Sequence, residues 1–167
     1  MSKQQFIHLA HYNQWANKLL YQACMETSKG VLTKDVGAFF GSIFKTLNHT
    51  LLAEEIWLGR FTHRPFDAPS LDMILAEDFD HLVALRMNMD SRIIALTNNL
   101  RESDFSKAFS YQDMAGNPHI LPFDMCLTHM FNHATHHRGQ VHHILSSLDY
   151  DPPQLDLIYY MLEGEDD

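Results

Sequence analysis

Four long stretches of helical hydrophobic periodicity constrain this chain more than any other feature. They lie at about residues 4–27, 36–60, 70–100 and 122–148, and together they take up most of the 167 residues. The first contains FIHLAHYNQWANKLLYQACME, with Phe6, Leu9, Trp15, Leu19 and Ala23 at helical spacing. The second, VGAFFGSIFKTLNHTLLAEEIWLGR, is apolar over much of its circumference, so a helix there needs neighbours on more than one side. The third opens at Ser70, a suitable N-cap, with Asp72 in the first turn. The fourth opens at Pro122, whose missing N–H suits a first helical position, with Asp124 near the positive end. Four long helices in one small chain predict an all-α fold, an antiparallel four-helix bundle spanning residues 1–167 as one domain.

Between the third and fourth stretches, DFSKAFSYQDMAGNPHIL breaks the pattern. Ala-Gly-Asn-Pro is a turn signal, and its flanks KAFSY and HIL suit a short β-ribbon or an irregular insertion. That link is long enough to permit a non-sequential order of helices. After Asp-Tyr-Asp-Pro-Pro, LDLIYYMLE predicts a short closing helix.

Charge excludes one large class of function. With Lys and Arg at 12 against 21 Asp and Glu, the net charge is −9, part of it concentrated in the tail EGEDD at 163–167. An acidic surface repels phosphate backbones, so nucleic acid is not an expected partner. No segment reaches the roughly 18 apolar residues of a membrane span, and the N-terminal stretch is polar throughout, without a secretory apolar region. The chain reads as cytoplasmic, with Cys24 and Cys126 as free thiols in a reducing compartment.

The fourth stretch carries the chemistry. FNHATHHRGQVHHIL, residues 131–145, holds five of the 12 histidines. At about 100° per residue, with His129 at the origin, Phe123, Cys126, Leu127, Met130, Ala134, Val141, Ile144, Leu145 and Leu148 fall between about 60° and 160°. His137 falls near about 80° and His133 near about 40°, while His136, His142 and His143 lie off that face. An i, i+4 histidine pair on one face can bind one metal ion. The competing reading is a pair of core-edge imidazoles satisfied by protein hydrogen bonds, and with 12 histidines chance pairs such as His129/His133 are expected. The zinc-protease motif is excluded, because Ala134 stands where its general-base Glu would be. A third ligand has to come from another helix. His49 in the second stretch is one source, His8 and His11 in the first are competitors, and a lone polar residue on a helix flank is the plain alternative for His49.

These segments resemble the DinB-like (DinB/YfiT-like) family of metal-dependent proteins, over nearly the whole chain. The resemblance rests on YNQWANKLL near the start, GSIFKTLNHTLLAEEIWLGRF in the second stretch, LTHMFNHATHHRGQVHHIL in the fourth, and PPQLDLIYYML at the end. The DNA polymerase that shares the family's name is unrelated, and nothing in the chain resembles one. The resemblance implies a four-helix bundle with a three-histidine metal site, and by motif position its ligands are His49, His133 and His137. It implies a divalent ion, zinc or nickel foremost, and frequent homodimers. It also implies relatives that use low-molecular-weight thiols such as bacillithiol or mycothiol in transfer and isomerisation. Three neutral nitrogen ligands leave a coordination position open, and an open divalent ion can activate water or a thiol. The expected activity is therefore transferase-like attack of a small thiol or water on an electrophile. A non-catalytic metal-binding stress or sensor protein and a plain interaction bundle are the other classes.

Glu54, His136 and Gln140 are the candidate catalytic residues. Glu54 has a family counterpart and reads as a hydrogen-bond acceptor behind the ligands, a proton carrier, or a solvated charge. His136, Gln140 and Asn132 read as substrate contacts, ligand orienters or a polar flank. Arg138 reads as an anion binder or a surface or inter-subunit ion pair, and Gly139 as a point of close helix approach. Tyr12 and Trp15 read as core or pocket wall, and Cys126 as a packed core thiol or, beside an open site, a redox-active one.

Overall fold

The computed structural model describes residues 2–163; the acidic tail beyond Glu163 lies outside the described residues. Those residues are mostly helical. In chain order they form α1 (Lys3–Met25), α2 (Lys29–Thr33), α3 (Ile43–Phe61), α4 (Phe79–Asn99), a 3-10 turn (Glu102–Asp104), β1 (Ala108–Gln112), β2 (Pro118–Pro122), α5 (Phe123–Ser147) and α6 (Leu157–Glu163). The strands pair antiparallel, Ala108 opposite Pro122 and Gln112 opposite Pro118, as the turn signal between them requires.

The starts of three helices differ from the sequence expectation. Residues 36–42 are not helical: Gly37 and Gly41 take φ of 71° and 81°, and α3 begins only after Ser42, whose hydroxyl accepts from the Lys45 N–H. Ser70 is no cap either. The buried Asn48 side chain accepts from the N–H groups of Leu75 and Ala76 at 3.0 and 3.1 Å, which holds 70–77 as a loop. The cap of α4 is Asp78, bonded to the His81 N–H at 2.8 Å. Pro122 is the N-cap of α5 rather than its first helical residue, with extended ψ of 134° as it leaves β2.

Four long helices make the interior. α1 packs on α4 and α5, and α3 packs on α4 and α5. Residue pairs across these contacts set the directions. Tyr21 stacks on Phe79 while Lys3 reaches the Asn98 carbonyl, so α1 and α4 are antiparallel. Phe61 meets Phe123 while His49 meets His137, so α3 and α5 are antiparallel too. By contrast, Phe6 meets Phe131 and Arg138 bonds Asn13, so α1 and α5 run parallel; α3 and α4, each antiparallel to one of that pair, are then parallel too, and Glu54–Arg86 and Glu55–Arg92 join them. The order of contacts is thus non-sequential, as the long connections allow.

Beside the ribbon, the helix ends enclose an aromatic cluster. Phe105 stacks on Phe6 with centroids 5.1 Å apart, and Phe61, Phe109 and Phe123 meet at 5.2 to 5.6 Å. The buried face of α5 contains the residues the helical wheel assigns to it except Leu148, which is the half-buried C-cap, and also Phe131 and Arg138, because α5 faces α1 as well as α3. The face of α1 is rotated from its expected stripe. Phe6, Ala10, Asn13, Asn17, Leu20 and Cys24 are buried, while Leu9, Trp15, Leu19 and Ala23 are half-buried. Two asparagines therefore occupy a core face that apolar counting could not find. No described helix is long and apolar enough to cross a membrane.

Glycine also behaves differently from expectation. A Cβ at Gly139 would meet nothing within 4 Å, so close helix approach does not explain it. Gly59 is the position that admits no side chain. The turn after α3 folds back, Arg64 N–H donates to the Gly59 carbonyl at 2.8 Å, and a Cβ there would lie 2.7 Å from the Arg64 carbonyl oxygen.

Candidate metal centre

His49 from α3 and His133 and His137 from α5 meet where these antiparallel helices cross. Each offers one ring nitrogen, and the three nitrogens lie within 4.8 Å of one another. The i, i+4 spacing brings the α5 pair together, with Nε2 of each ring 3.1 Å from the other. Three buried or half-buried histidines so arranged could hold a metal ion.

Two of the rings have their tautomers set by an acceptor that cannot donate. His49 Nδ1 is 2.7 Å from the Leu71 carbonyl oxygen, so Nδ1 carries the proton and Nε2 is bare. His137 Nδ1 donates to Gln140 Oε1 at 2.8 Å, which leaves its Nε2 bare as well. Such contacts orient metal-ligating histidines. Gln140 then donates from its amide to His136 Nε2 at 3.1 Å. Phe40 stacks on the back of His49, centroids 4.0 Å apart, and meets His137 edge-on at 5.7 Å.

The rings resist protonation. Burial, then the neighbouring imidazoles, holds His133 down to about 3. Burial also lowers His137 to about 4, against the raising effect of Gln140, and lowers His49. Neutral imidazole is the form that binds metal. A stability consequence follows for metal-free protein. Below the ordinary histidine value of 6.5 the unfolded chain takes up protons that the folded rings refuse, so these groups make stability fall as pH drops from about 6.5 toward 4. Asp90, raised to about 6 chiefly by burial, acts in the opposite sense. The measurement is therefore a difference: Tm against pH for metal-free wild type and His133→Gln, with the wild type expected to lose more on acidification.

The cluster forms one side of an open cavity of about 870 Å³, lined also by Phe39, Phe40, Lys45, Leu71, Asp72, His136 and Gln140. His136 and Gln140 therefore sit at the site. Glu54 does not. It is 1% exposed and paired with Arg86, in a polar network with Asn13, Asn17, Asp90 and Arg138. It is not a solvated charge: its carboxylate is buried and is retained there with the Arg86 cation beside it. Arg138 is likewise no surface group. It is buried and donates to Asn13, to Asn17 at 3.3 Å and to Thr135 at 2.9 Å. Asn132 is exposed and lines a different cavity, with Tyr12 and Gly139.

The competing histidines have other roles. His129 meets the Trp57 ring edge-on at 5.1 Å, and Arg60 lies over the same indole. His8 bonds Gln4, and His11 lines a groove between α1 and α4. Tyr12 donates to the Leu155 carbonyl and Trp15 to Glu163, which anchors the C-terminal segment. Cys126 is buried, as expected, and burial raises its thiol pKa. Sequence reasoning missed Phe40 and the Leu71 carbonyl. The signal for the first was an aromatic pair between two glycines in GAFFG; the second is a backbone atom and leaves no sequence trace.

Comparison with known proteins agrees with this architecture. The DinB family model matches residues 1–166. The protein called Protein DinB of Bacillus subtilis (strain 168) is 23% identical over 159 residues, 92% of this chain and 91% of that one. The crystal structure of a DinB-like protein from Bacillus cereus superposes with a TM-score of 0.64 at 13% identity, over 90% of this chain and 93% of the other. By sequence over almost its whole length, and by a shared fold, this chain belongs to the DinB family.

Proposed function

We propose that His49, His133 and His137 bind one divalent metal ion, zinc or nickel, and that the protein is a transferase-like enzyme activating a small thiol or water for attack on an electrophile. One observation carries the reading: three neutral imidazoles, two with tautomers fixed by Leu71 and Gln140, converge at the wall of a cavity open to solvent. An all-nitrogen set of three suits an ion that keeps a position for substrate. When bound, such an ion supplies Lewis acidity, which brings the pKa of a coordinated thiol or water toward neutrality. Gln140 holds the His137 ring in its ligating tautomer. His136, exposed at the rim, accepts from the Gln140 amide through Nε2 and so steadies the side chain that orients His137, while its ring faces the cavity as a substrate contact. The scaffold is a single four-helix-bundle domain of a cytoplasmic homodimer that binds neither nucleic acid nor membrane.

The test is turnover. Zinc-loaded and nickel-loaded protein is given cysteine or bacillithiol with chlorodinitrobenzene, and thioether formation is followed by absorbance. Metal-loaded protein is expected to exceed metal-free protein by roughly tenfold or more, the range of a positioned activating group. One bound ion per chain with no turnover on any thiol would leave the non-catalytic stress or sensor role instead.

A further inference from the structure

The cavity beside the histidines is lopsided in a way that specifies its occupant. One wall is polar: His136, Gln140, and the opposed charges of Lys45 and Asp72. The other is apolar and faces solvent. Phe39 is 88% exposed and Leu71 is 47% exposed, with Phe40 half-buried between the cavity and His49. An exposed phenyl ring forgoes the burial that every other phenylalanine here has at least in part.

The exposed ring is held in place. Phe39 packs edge-on against Phe40 at 4.9 Å, and Phe40 stacks on His49. The turn that presents them is closed by Val36 N–H to the Gly41 carbonyl at 2.8 Å and Gly41 N–H to the Ala38 carbonyl at 2.7 Å. Both of its glycines take φ that other residues avoid. Leu71 is tied to the same ring through its carbonyl. His49 thus fixes both apolar segments, Phe40 by stacking and Leu71 by a hydrogen bond. The result is a preformed apolar wall beside the imidazole nitrogens.

We infer that Phe39, with Leu71, is the specificity wall of the site, and that the substrate carries an aryl or alkyl group of about benzyl size that lies on it. This rests on the metal-site reading above and adds a substrate class to it. A ring laid against Phe39 removes apolar surface of both partners from water and gains aromatic contact. Lys45 does not favour an anion strongly, because Asp72 stands on the same rim.

The experiment uses two metal-binding probes that differ in their apolar part, acetohydroxamate and benzohydroxamate. Their affinities for the zinc-loaded full chain are measured by calorimetry for wild type, Phe39→Ala and Phe39→Leu. Wild type is expected to prefer benzohydroxamate. Phe39→Ala is expected to cut that preference by about fivefold while leaving acetohydroxamate binding unchanged, and Phe39→Leu to keep most of it. An equal loss for both probes would mean that Phe39 merely supports Phe40 and His49, and would overturn the inference. An unchanged preference would overturn it too, including the case where Phe39→Ala instead dissociates a dimer. If the wild type takes up no zinc, the metal-site reading fails first and the wall loses its meaning with it.

Discussion

Replacing Arg86 with Leu is expected to destabilise the fold by about 3–5 kcal/mol, the typical cost of removing one partner from a buried ion pair. Arg86 projects from α4 into the interior and is itself buried. It pairs with Glu54 on α3, and its Nη2 lies 2.9 Å from Asp90 Oδ1 one turn along α4. Without it, two carboxylates that are 1% and 4% exposed would face each other with only amides and the more distant Arg138 for compensation. For a chain of this length the loss corresponds to a fall in Tm of roughly 10 °C or more. Thermal unfolding of the variant checks it. A control separates charge from packing: adding Glu54→Gln and Asp90→Asn to Arg86→Leu is expected to recover part of the loss, because the uncompensated charges are then gone. A single variant within about 1 kcal/mol of wild type would show that the network relaxes or hydrates.

His137→Ala is expected to remove metal binding, from one ion per chain to none after dialysis against micromolar zinc. The ring supplies one of three converging nitrogens and is hydrogen-bonded to Gln140, so its loss leaves a two-nitrogen pair across α3 and α5. Loss of a partner that merely orients a ligand typically costs about 10- to 100-fold in affinity, and loss of the ligand itself should cost more. Elemental analysis of untagged protein reads this directly. Linkage gives a second readout: an ion at about 100 times its Kd stabilises by about 2.7 kcal/mol, so added zinc should raise the Tm of wild type and not of His137→Ala. A variant that keeps a full equivalent of metal would remove His137 from the ligand set. The same preparation with Gln140→Ala should show a smaller loss, since only the tautomer restraint is gone.

Much of this protein was legible along the chain. The four helical stretches, the Ala-Gly-Asn-Pro ribbon and the short last helix follow from local periodicity and turn chemistry, which act over a few residues. The inward face of α5, with His133 and His137 one turn apart, follows from helical geometry applied to a stripe that is apolar apart from them. His49 was different. Spacing left it one candidate among several, and only family resemblance raised it before the structure placed it opposite the α5 pair.

What the tertiary structure decided has a common physical reason: polar groups whose partners lie far away in sequence. Asn13, Asn17, Glu54, Arg86, Asp90 and Arg138 come from four helices, and each looks like a surface residue until the others surround it. Their mutual pairing turned the buried face of α1 away from its apolar stripe and took Glu54 out of the site. Asn48 decided that residues 70–77 would be a loop, by capturing two N–H groups that a helix would otherwise have used. That loop delivers the Leu71 carbonyl to His49, and so fixes the nitrogen this ring presents. Periodicity reports where a chain can bury its apolar side chains; which polar groups go in with them is settled only when the helices meet.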